Sequence, residues 1–443
     1  MTTTTLHLIV PRTTEIFGVS WGKGSSPTLT RTDSAVGMTA AVGALGGVAA
    51  ANSFDRAPIF SEIVEVTDTL GNVFVRIPKF YIAKTDGVGY RTIRISKTQH
   101  PGFYLPAVFW DFTNGHELAY FDFGKYKASS GGTTLDSKAS TFPLVSQNIV
   151  TFRTRARANN TGGLLGYQQL DVHAHDVLSA LFTVEFATLN SQAVMPGFTV
   201  GPYAATDTAT VAENAVNRII VTNAVAAAYR VGQSVGIGTA TGSASVASNR
   251  LIAAIEVYDA SNKAMTFDGA AVNVAVGNVV WSMGWRNGFA TGPVSGYLTA
   301  NDGKYPCSYR GIESPWGDVW QFVDGVNINE YQAWVTPNAA DYASNVFAAP
   351  YVQLGYVNGS ASGSPVALGF DAANPYAEFP ATVGGSSTTY YSDYYYTAAG
   401  QRIAFVGGFW ANGSYAGLRY WHASDASSFA DVSIGGRLLR KAL

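Results

Sequence analysis

The pattern of apolar and polar residues predicts a chain built mainly from short strands and glycine-rich loops. Residues 90–96, Tyr-Arg-Thr-Ile-Arg-Ile-Ser, alternate between apolar and polar as a half-buried strand does. Residues 74–82, Phe-Val-Arg-Ile-Pro-Lys-Phe-Tyr-Ile, also favour a strand, and Pro78 places it at a sheet edge or a bulge. Residues 403–405 and 434–439 predict two more strands near the C-terminus.

One amphipathic helix is predicted between Gln169 and Asn190, over roughly five turns. Its apolar residues recur at spacings of three and four: Leu170, Ala174, Val177, Leu178, Leu181, Phe182, Val184 and Leu189. Gly197 and Pro202 follow soon afterwards and prevent the helix from continuing.

The character of the sequence changes between residues 204 and 285, where Ala, Val, Thr and Gly dominate and aromatic residues are few. Four strands are predicted in this stretch: 218–222, 234–238, 251–258 and 264–267. Aromatic, glycine-marked sequence stops near Tyr203 and resumes at Trp281. This indicates a small all-β domain inserted into a larger one.

We therefore predict four parts: an N-terminal β or attachment segment (1–60), the first part of a larger domain (61–203), the inserted β domain (204–285) and the second part (286–443). The segment Ser34–Phe54 is uncharged, but it is mostly small residues, which favours a packed or flexible connection over a membrane span. The first residues lack a basic region followed by an apolar stretch, so no secretory signal is predicted.

Composition excludes several classes of function. The 443 residues carry a net charge of −2, and only 13% of them are charged, which excludes a chain-wide basic surface for nucleic acid. A single cysteine, Cys307, excludes an intrachain disulfide and a multi-thiolate metal site. We expect Cys307 to be a small packed thiol, since no histidine is close to it in sequence.

Signals for catalysis are weak. Residues 18–23, Gly-Val-Ser-Trp-Gly-Lys, are one residue too short for a phosphate-binding loop, and residues 359–363, Gly-Ser-Ala-Ser-Gly, have alanine where a nucleophilic serine is needed. His173 and His175 lie two residues apart, which turns their rings to different faces of a helix, so we expect helix-surface histidines. We predict no enzyme, no cofactor and no metal site.

Two alternatives stay open at this point. A surface-polysaccharide hydrolase needs two carboxylates placed in a cleft, which sequence spacing does not reveal. Calcium could be bound by Asp318, Asp324 and Asp393, although no 12-residue calcium loop is present.

A long stretch between Arg310 and Arg402 contains no lysine or arginine and ten tyrosines. It holds eight acidic residues: Glu313, Asp318, Asp324, Glu330, Asp341, Asp371, Glu378 and Asp393. Tyrosine with Ser, Gly and Asn is typical of recognition surfaces, and the acidic balance disfavours anionic partners. Five tyrosines crowd into residues 390–396 and cannot all face inward on a strand, so Tyr391, Tyr394 and Tyr395 are possible additional binding residues.

The last segment, residues 405–439, alternates large rings with small polar residues between two predicted strands. We interpret it as a loop stretched between fixed strands, which is a good mount for binding groups.

Several blocks of this sequence resemble a known family. They are 309–325, beginning Tyr-Arg-Gly-Ile-Glu-Ser-Pro-Trp-Gly, and the ending Gly-Gly-Phe-Trp, Gly-Leu-Arg-Tyr-Trp and Ile-Gly-Gly-Arg-Leu, with weaker support from 71–81 and 185–192. They are similar to phage tail receptor-binding proteins with a C-type-lectin-like fold, kin of the retroelement-diversified tropism determinants. The resemblance covers most of residues 60–203 and 286–443.

The resemblance implies an α+β, loop-rich, C-type-lectin-like domain with one main helix and the small all-β insertion. It implies that exposed residues of the last segment bind the receptor, with the glycines and residues 434–438 as scaffold. The receptor-binding candidates carried over position by position are Trp410, Asn412, Ser414, Tyr415, Tyr420, Trp421, His422, Ser424, Asp425, Ser427, Ser428, Phe429 and Asp431.

The implied function is host attachment at the tip of a phage tail, by a homotrimer that contacts a bacterial surface protein, pilus or glycan. Other tail proteins would be partners, the location would be the virion, and neither nucleic-acid binding nor membrane insertion is expected. The alternative is a structural baseplate or tail-fibre adaptor without its own receptor site. Formylglycine-generating enzymes are distant fold kin, but their copper site uses a cysteine pair, and Cys307 stands alone.

Overall fold

The computed structural model describes residues 15–44, 52–290 and 296–443. Strands make up 37% of these described residues and helices 11%, which is compatible with an α+β, loop-rich protein. Residues 1–14 of the predicted N-terminal segment and residues 45–51 of the uncharged connection lie outside the described residues.

The N-terminal sheet has four antiparallel strands, in the spatial order Thr30–Asp33, Ile16–Gly22, Tyr90–Ser96 and Tyr81–Asp86. The predicted strand at 90–96 is confirmed with the same bounds. The single strand predicted over 74–82 is wrong, because the chain leaves one sheet at Pro78 and enters another at Tyr81.

A second sheet, the terminal sheet, joins distant parts of the chain. Its spatial order is Tyr167–Gln169, Leu438–Lys441, Tyr120–Gly124, Val73–Pro78 and Val64–Thr67. The last strand of the protein thus lies between strands from its first half, with antiparallel pairing on both sides. The strand Leu438–Lys441 is therefore held in the fold along both of its edges.

The central sheet carries most of the last segment. Its spatial order is Val352–Gln353, Gln332–Val335, Trp320–Asn329, Gln401–Gly407, Gly417–Ala423 and Tyr395–Thr397, and Ile434–Gly435 also pairs with Trp320–Asn329. Tyr395–Thr397 is the outermost strand and runs parallel to Gly417–Ala423.

Helix α1 (Ile149–Arg157) lies against one face of the central sheet, where Phe152 packs on Phe322 at 5.5 Å between ring centroids. The sequence patterns described above do not predict this helix. Asn148 caps it by accepting a hydrogen bond from the Thr151 N–H.

Helix α2 (Val172–Phe186) is the helix predicted between Gln169 and Asn190, and Asp171 caps its start. It packs against strands of both the N-terminal and the central sheet. Every residue from Val172 to Glu185 is buried, so the expected polar face is absent and the amphipathic prediction is wrong. The reason is that α2 is enclosed by sheets on more than one side.

The insertion forms a five-stranded antiparallel sheet, and short helix α3 (Asn223–Ala226) lies beside it. The strand order is Arg218–Thr222, Asn262–Phe267, Ala247–Val257, Ser234–Gly238 and Val279–Ser282. All four predicted strands are present, two with the predicted bounds. The sheet has its own apolar cluster. The two ends of this chain segment meet where the Ser282 N–H donates to the Pro202 carbonyl.

Short elements complete the described chain. The remaining strands are Gly43–Ala44, Trp110–Asp111, His116–Glu117, Ser129–Ser130, Leu135–Asp136, Glu213–Val216, Val272–Val274, Gly296–Leu298, Ser308–Tyr309, Ile312–Glu313, Pro365–Leu368 and Pro380–Val383. Short 3-10 helices are formed by Ser53–Arg56, Phe60–Glu62, Ala107–Phe109, Ala339–Asp341 and Gly413–Tyr415. Over the described ranges, no helix has the length and apolar character needed to cross a membrane.

Candidate functional site

The last segment contains a strand where we expected a loop. Gly417–Ala423 pairs with Gln401–Gly407 on one side and with Tyr395–Thr397 on the other. Because side chains of a strand alternate between the two faces of a sheet, this strand sends neighbouring rings in opposite directions. The prediction of one uniformly displayed segment is therefore wrong.

The three largest predicted binding residues lie in the interior. Trp410, Tyr420 and Trp421 are 0%, 3% and 5% exposed, so the expectation that they are displayed is wrong. Trp421 faces α2, with its ring 5.0 Å from His175 and 4.6 Å from Phe379. Trp421 is a core residue because its paired strand holds it against α2, and Tyr420, the next residue on the same strand, is buried in the cluster on the other face.

Trp410 is buried for a different reason. It packs in a separate cluster with Phe198, Trp285 and Val319. Its backbone N–H donates to the Asp318 carbonyl at 3.0 Å. The turn after Gln401–Gly407 therefore points this indole into the base of the inserted domain rather than toward a ligand.

Alternation also divides the crowded tyrosines. Tyr391 and Tyr395 are buried in the same core as Trp421, so their predicted display is wrong. Tyr394 is half-buried on the opposite face, and Tyr396 is 47% exposed. The sequence argument that these residues cannot all face inward is confirmed, but it did not identify which ones face outward.

On that opposite face, against which α1 also packs, three rings from adjacent strands form what we call the first ring row: Phe405, His422 and Tyr396. Phe405 and His422 are register partners, as are His422 and Tyr396. The centroids are 4.1 Å apart in the first pair and 5.1 Å apart in the second, with ring planes tilted by only 17° and 18°. The row therefore runs from the sheet interior to an exposed ring on the edge strand.

A second ring row lies beside it and consists of Tyr420, Tyr394 and Tyr415. The centroid distances are 6.2 Å from Tyr420 to Tyr394 and 4.3 Å from Tyr394 to Tyr415. The Tyr394 N–H donates to the Tyr415 carbonyl at 3.0 Å, which fixes the two residues to each other. Tyr415 is 47% exposed, so this row also ends at the surface.

The two rows together form the ring platform, which we define by the six residues of both rows. They meet where Tyr394 and Tyr396 lie 6.1 Å apart. Trp320 supports the platform from below, edge-on to Tyr420 at 4.3 Å and to His422 at 5.2 Å. Buried inner rings thus fix the positions of the two exposed outer rings.

His422 has polar partners as well as ring neighbours. Its Nε2 lies 2.6 Å from Ser424 Oγ and 2.8 Å from Asp425 Oδ2. Burial lowers the pKa of His422, while the hydrogen bond and charge of Asp425 act in the opposite direction. The structure therefore brings three of the predicted residues together, at the inner part of the first row.

The other predicted residues are local or peripheral. Asn412 accepts a hydrogen bond from the Phe409 N–H, and Asp431 accepts from the N–H and Oγ of Ser433, so both stabilise turns. Ser427 accepts from Asn345 Nδ2. The remaining members of the set are at the surface: Ser414, Ser428 and Phe429.

The acidic stretch is largely neutralised inside the protein. Asp324 receives a two-point interaction from Arg153, and Glu378 pairs with Lys84 and Arg91. Glu313, Asp318 and Asp393 are buried, and burial raises the pKa of Asp393 to about 7. The expectation of an acidic surface that repels anions is wrong for these five residues, because their carboxyls are paired or enclosed.

The histidine pair of α2 is also buried rather than at the helix surface. His175 Nε2 donates to the Leu418 carbonyl at 2.9 Å, and the His173 ring packs on Tyr376 at 4.1 Å. Burial lowers the pKa of His173 to about 3 and of His175 to about 4. Cys307 is buried and burial raises its pKa to about 12, so the prediction of a packed thiol is confirmed.

The described ranges contain no group of three or more His, Cys, Asp or Glu side chains that could hold a metal ion. Two adjoining grooves lie away from the last segment, with volumes of about 470 and 340 Å³. They share Trp110 and Phe112. Sequence reasoning missed these grooves, since nothing in the pattern of residues 104–113 distinguishes a groove wall from a core strand.

Comparison with known proteins adds no relative. No protein-family model matches this sequence, and no curated protein matches it either.

Proposed function

We propose that this protein is a phage tail-tip receptor-binding protein and that the ring platform is its contact with the bacterial surface. The observation that carries the proposal is the pair of half-exposed tyrosines, Tyr396 and Tyr415, each at the outer end of a fixed row of rings. The sequence resemblance to tail receptor-binding proteins also supports it, because Tyr415 is among the binding residues that the resemblance implies, while Tyr396 comes from the structure alone.

The platform has the physical properties of a recognition surface. A tyrosine side chain offers a large amphipathic area with few rotatable bonds, so little conformational entropy is lost on binding. Here the inner rings restrict even those bonds, because Tyr396 stacks on His422 and Tyr415 packs on Tyr394 with a tilt of 32° between the ring planes. A partner would therefore meet two preorganised rings.

The proposal includes the C-type-lectin-like fold for residues 61–203 and 286–443. It is supported by the terminal sheet, in which Leu438–Lys441 pairs with Tyr120–Gly124 and so closes the two parts into one unit. It is also supported by the long irregular stretches that surround the platform. Homotrimer formation and a place in the virion belong to the same proposal.

The test is adsorption of the purified, fluorescently labelled full chain to cells of the bacterium that supports the parent phage. The double variant Tyr396→Ala/Tyr415→Ala should reduce adsorption at least tenfold with an unchanged thermal unfolding midpoint. Tyr90→Ala is the matched control, because Tyr90 is also half-exposed, at 45%, but lies in the N-terminal sheet.

Two results would contradict the proposal. One is a double variant that adsorbs as well as the wild type, which would place the receptor contact elsewhere on the protein. The other is a wild-type chain that assembles into virions but never binds cells by itself, which would favour the structural adaptor.

A further inference from the structure

We propose that the receptor recognised by the ring platform is a neutral glycan and that pyranose rings stack on Tyr396 and Tyr415. This inference rests on the proposed function and names the chemistry of its partner. It follows from the geometry of the two rows, from what lies beyond their outer ends, and from the charge beside them.

The first row is a nearly parallel stack that ends in an unfilled position. Tyr396 lies on the outermost strand of the central sheet, and its inner face is covered by His422 at 5.1 Å with a tilt of 18°. Across the edge, the residue that pairs with Tyr395 is Gly363, preceded by the small, exposed Ser362. The next position of the stack is thus flanked by small residues, and half of the Tyr396 surface is open.

A flat group with an apolar face fits that position. One face of a pyranose ring presents several C–H groups, while its hydroxyls project around the rim. Such a ring removes apolar tyrosine surface from water when it lies parallel to the aromatic plane, and its hydroxyls remain hydrogen-bonded. An exposed ring at the end of each row suits this mode better than it suits an inserted protein side chain, which needs a cavity.

The second row provides a second stacking position. Tyr394 lies between the two exposed rings, 6.1 Å from Tyr396 and 4.3 Å from Tyr415. Successive units of a glycan chain can therefore contact both outer rings without a change in the fold. Hydroxyl partners are present around them in the phenol groups of Tyr396 and Tyr415 and in the exposed Ser414. The Ser362 hydroxyl is engaged by the Thr397 backbone, from whose N–H it accepts at 3.0 Å.

The charge next to the platform favours a neutral sugar over an acidic one. Asp425 lies against the first row through its 2.8 Å contact with His422 Nε2. This carboxylate is at the inner part of the row, one ring away from Tyr396, so it acts through its electric field rather than by direct contact. The field disfavours the carboxylates of uronic or sialic acids and does not disfavour neutral sugars.

The experiment is saturation-transfer NMR on the full-length protein with methyl β-D-galactopyranoside, methyl β-D-glucopyranoside and lactose as probes. Sorbitol is the control ligand, because it has the hydroxyls of a hexose without the ring face. At least one pyranoside should receive saturation at its ring C–H protons, and sorbitol should not. Lactose should bind about five- to tenfold more tightly than a monosaccharide that binds.

Matched variants assign the binding to the rows. Tyr396→Ala should reduce the transfer at least fivefold, Tyr396→Phe should retain it, and Tyr90→Ala should leave it unchanged. Tyr415→Ala should reduce the affinity for lactose to that of the monosaccharide. Equal transfer to sorbitol, retention of binding by Tyr396→Ala, or no transfer to any of the three sugars would overturn the inference.

Treatment of the host cells separates this inference from the proposed function. Adsorption that needs Tyr396 and is lost after mild periodate oxidation of the cells supports both. Adsorption that needs Tyr396 but is lost only after protease treatment leaves the proposed function standing and overturns the glycan. Sugar binding at the platform without any adsorption to cells supports the glycan and contradicts the proposed function.

Discussion

The Arg310 guanidinium and the Glu185 carboxylate form a two-point ion pair inside the protein, with Arg310 Nε 2.9 Å from Glu185 Oε2. Glu185 is at the end of α2, and Arg310 belongs to the Tyr-Arg-Gly-Ile-Glu block. The Tyr309 hydroxyl and Asn52 Nδ2 also donate to Glu185. Two sequence blocks that carry the family resemblance are thus joined by one buried carboxylate.

Glu185→Gln should lower the free energy of unfolding by about 3 kcal/mol, because it breaks the buried two-point pair and leaves Asp55, 2.9 Å from Arg310 Nη1, as the remaining counter-charge. Urea unfolding followed by tryptophan fluorescence measures the change. Glu330→Gln is the control, since Glu330 is exposed, and it should change stability by less than about 0.5 kcal/mol. A decrease in the free energy of unfolding below about 1 kcal/mol in Glu185→Gln would mean that the ion pair between Glu185 and Arg310 does not hold α2 to the block that contains Arg310.

Trp421→Ala should act on stability rather than on recognition. Removing this indole from between α2 and the central sheet should cost about 3–5 kcal/mol through lost burial and a cavity. Adsorption measured per folded molecule should then stay close to wild type. A stable Trp421→Ala protein that no longer adsorbs would restore Trp421 as a contact residue.

Substitution of Arg437 should destabilise the protein more than its position near the C-terminus suggests. Its Nε donates to Gln321 Oε1, and its Nη1 and Nη2 donate to the carbonyls of Gly124, Lys125, Glu313 and Ser314. Lysine cannot reproduce this planar set of five donors, so Arg437→Lys should cost about 3 kcal/mol or more. Thermal unfolding measures it, and Arg155→Lys should be nearly neutral, because the half-buried Arg155 donates from Nη1 to Ser130 Oγ in an exposed contact.

His175 should make stability depend on pH. Burial lowers its pKa to about 4 in the folded state, from the ordinary histidine value of 6.5 that applies to the unfolded chain. The folded state therefore keeps its full stability above pH 6.5 and loses it as the pH falls toward 4, by about 1.4 kcal/mol per pH unit. In His175→Gln this part of the slope should vanish.

Chemical unfolding at several pH values measures that slope in both proteins. The His175 ring nitrogens should also keep the NMR shifts of a neutral imidazole at about pH 5, because that pH lies above the lowered pKa. Identical slopes in wild type and variant, or a protonated ring at that pH, would contradict the burial of this histidine.

Local sequence determined a large part of the architecture. Alternation identified the strand Tyr90–Ser96, and β-branched runs identified Arg218–Thr222 and Ser234–Gly238 with their observed bounds. The change of composition after Tyr203 precedes a separate five-stranded sheet, and periodicity located α2. These features depend on residues close together in the chain, which is why a sequence reveals them.

Tertiary structure alone decided which rings reach the surface. Tyr420 and Trp421 are adjacent aromatic residues of one strand, yet Trp421 faces α2 and Tyr420 faces the platform. Their direction is set by the pairing of Gly417–Ala423 with two other strands, and a shift of that register by one residue would exchange the faces. Because such pairing joins segments that are distant along the chain, the sequence predicted aromatic recognition residues, and only the assembled sheet selected Tyr396 and Tyr415.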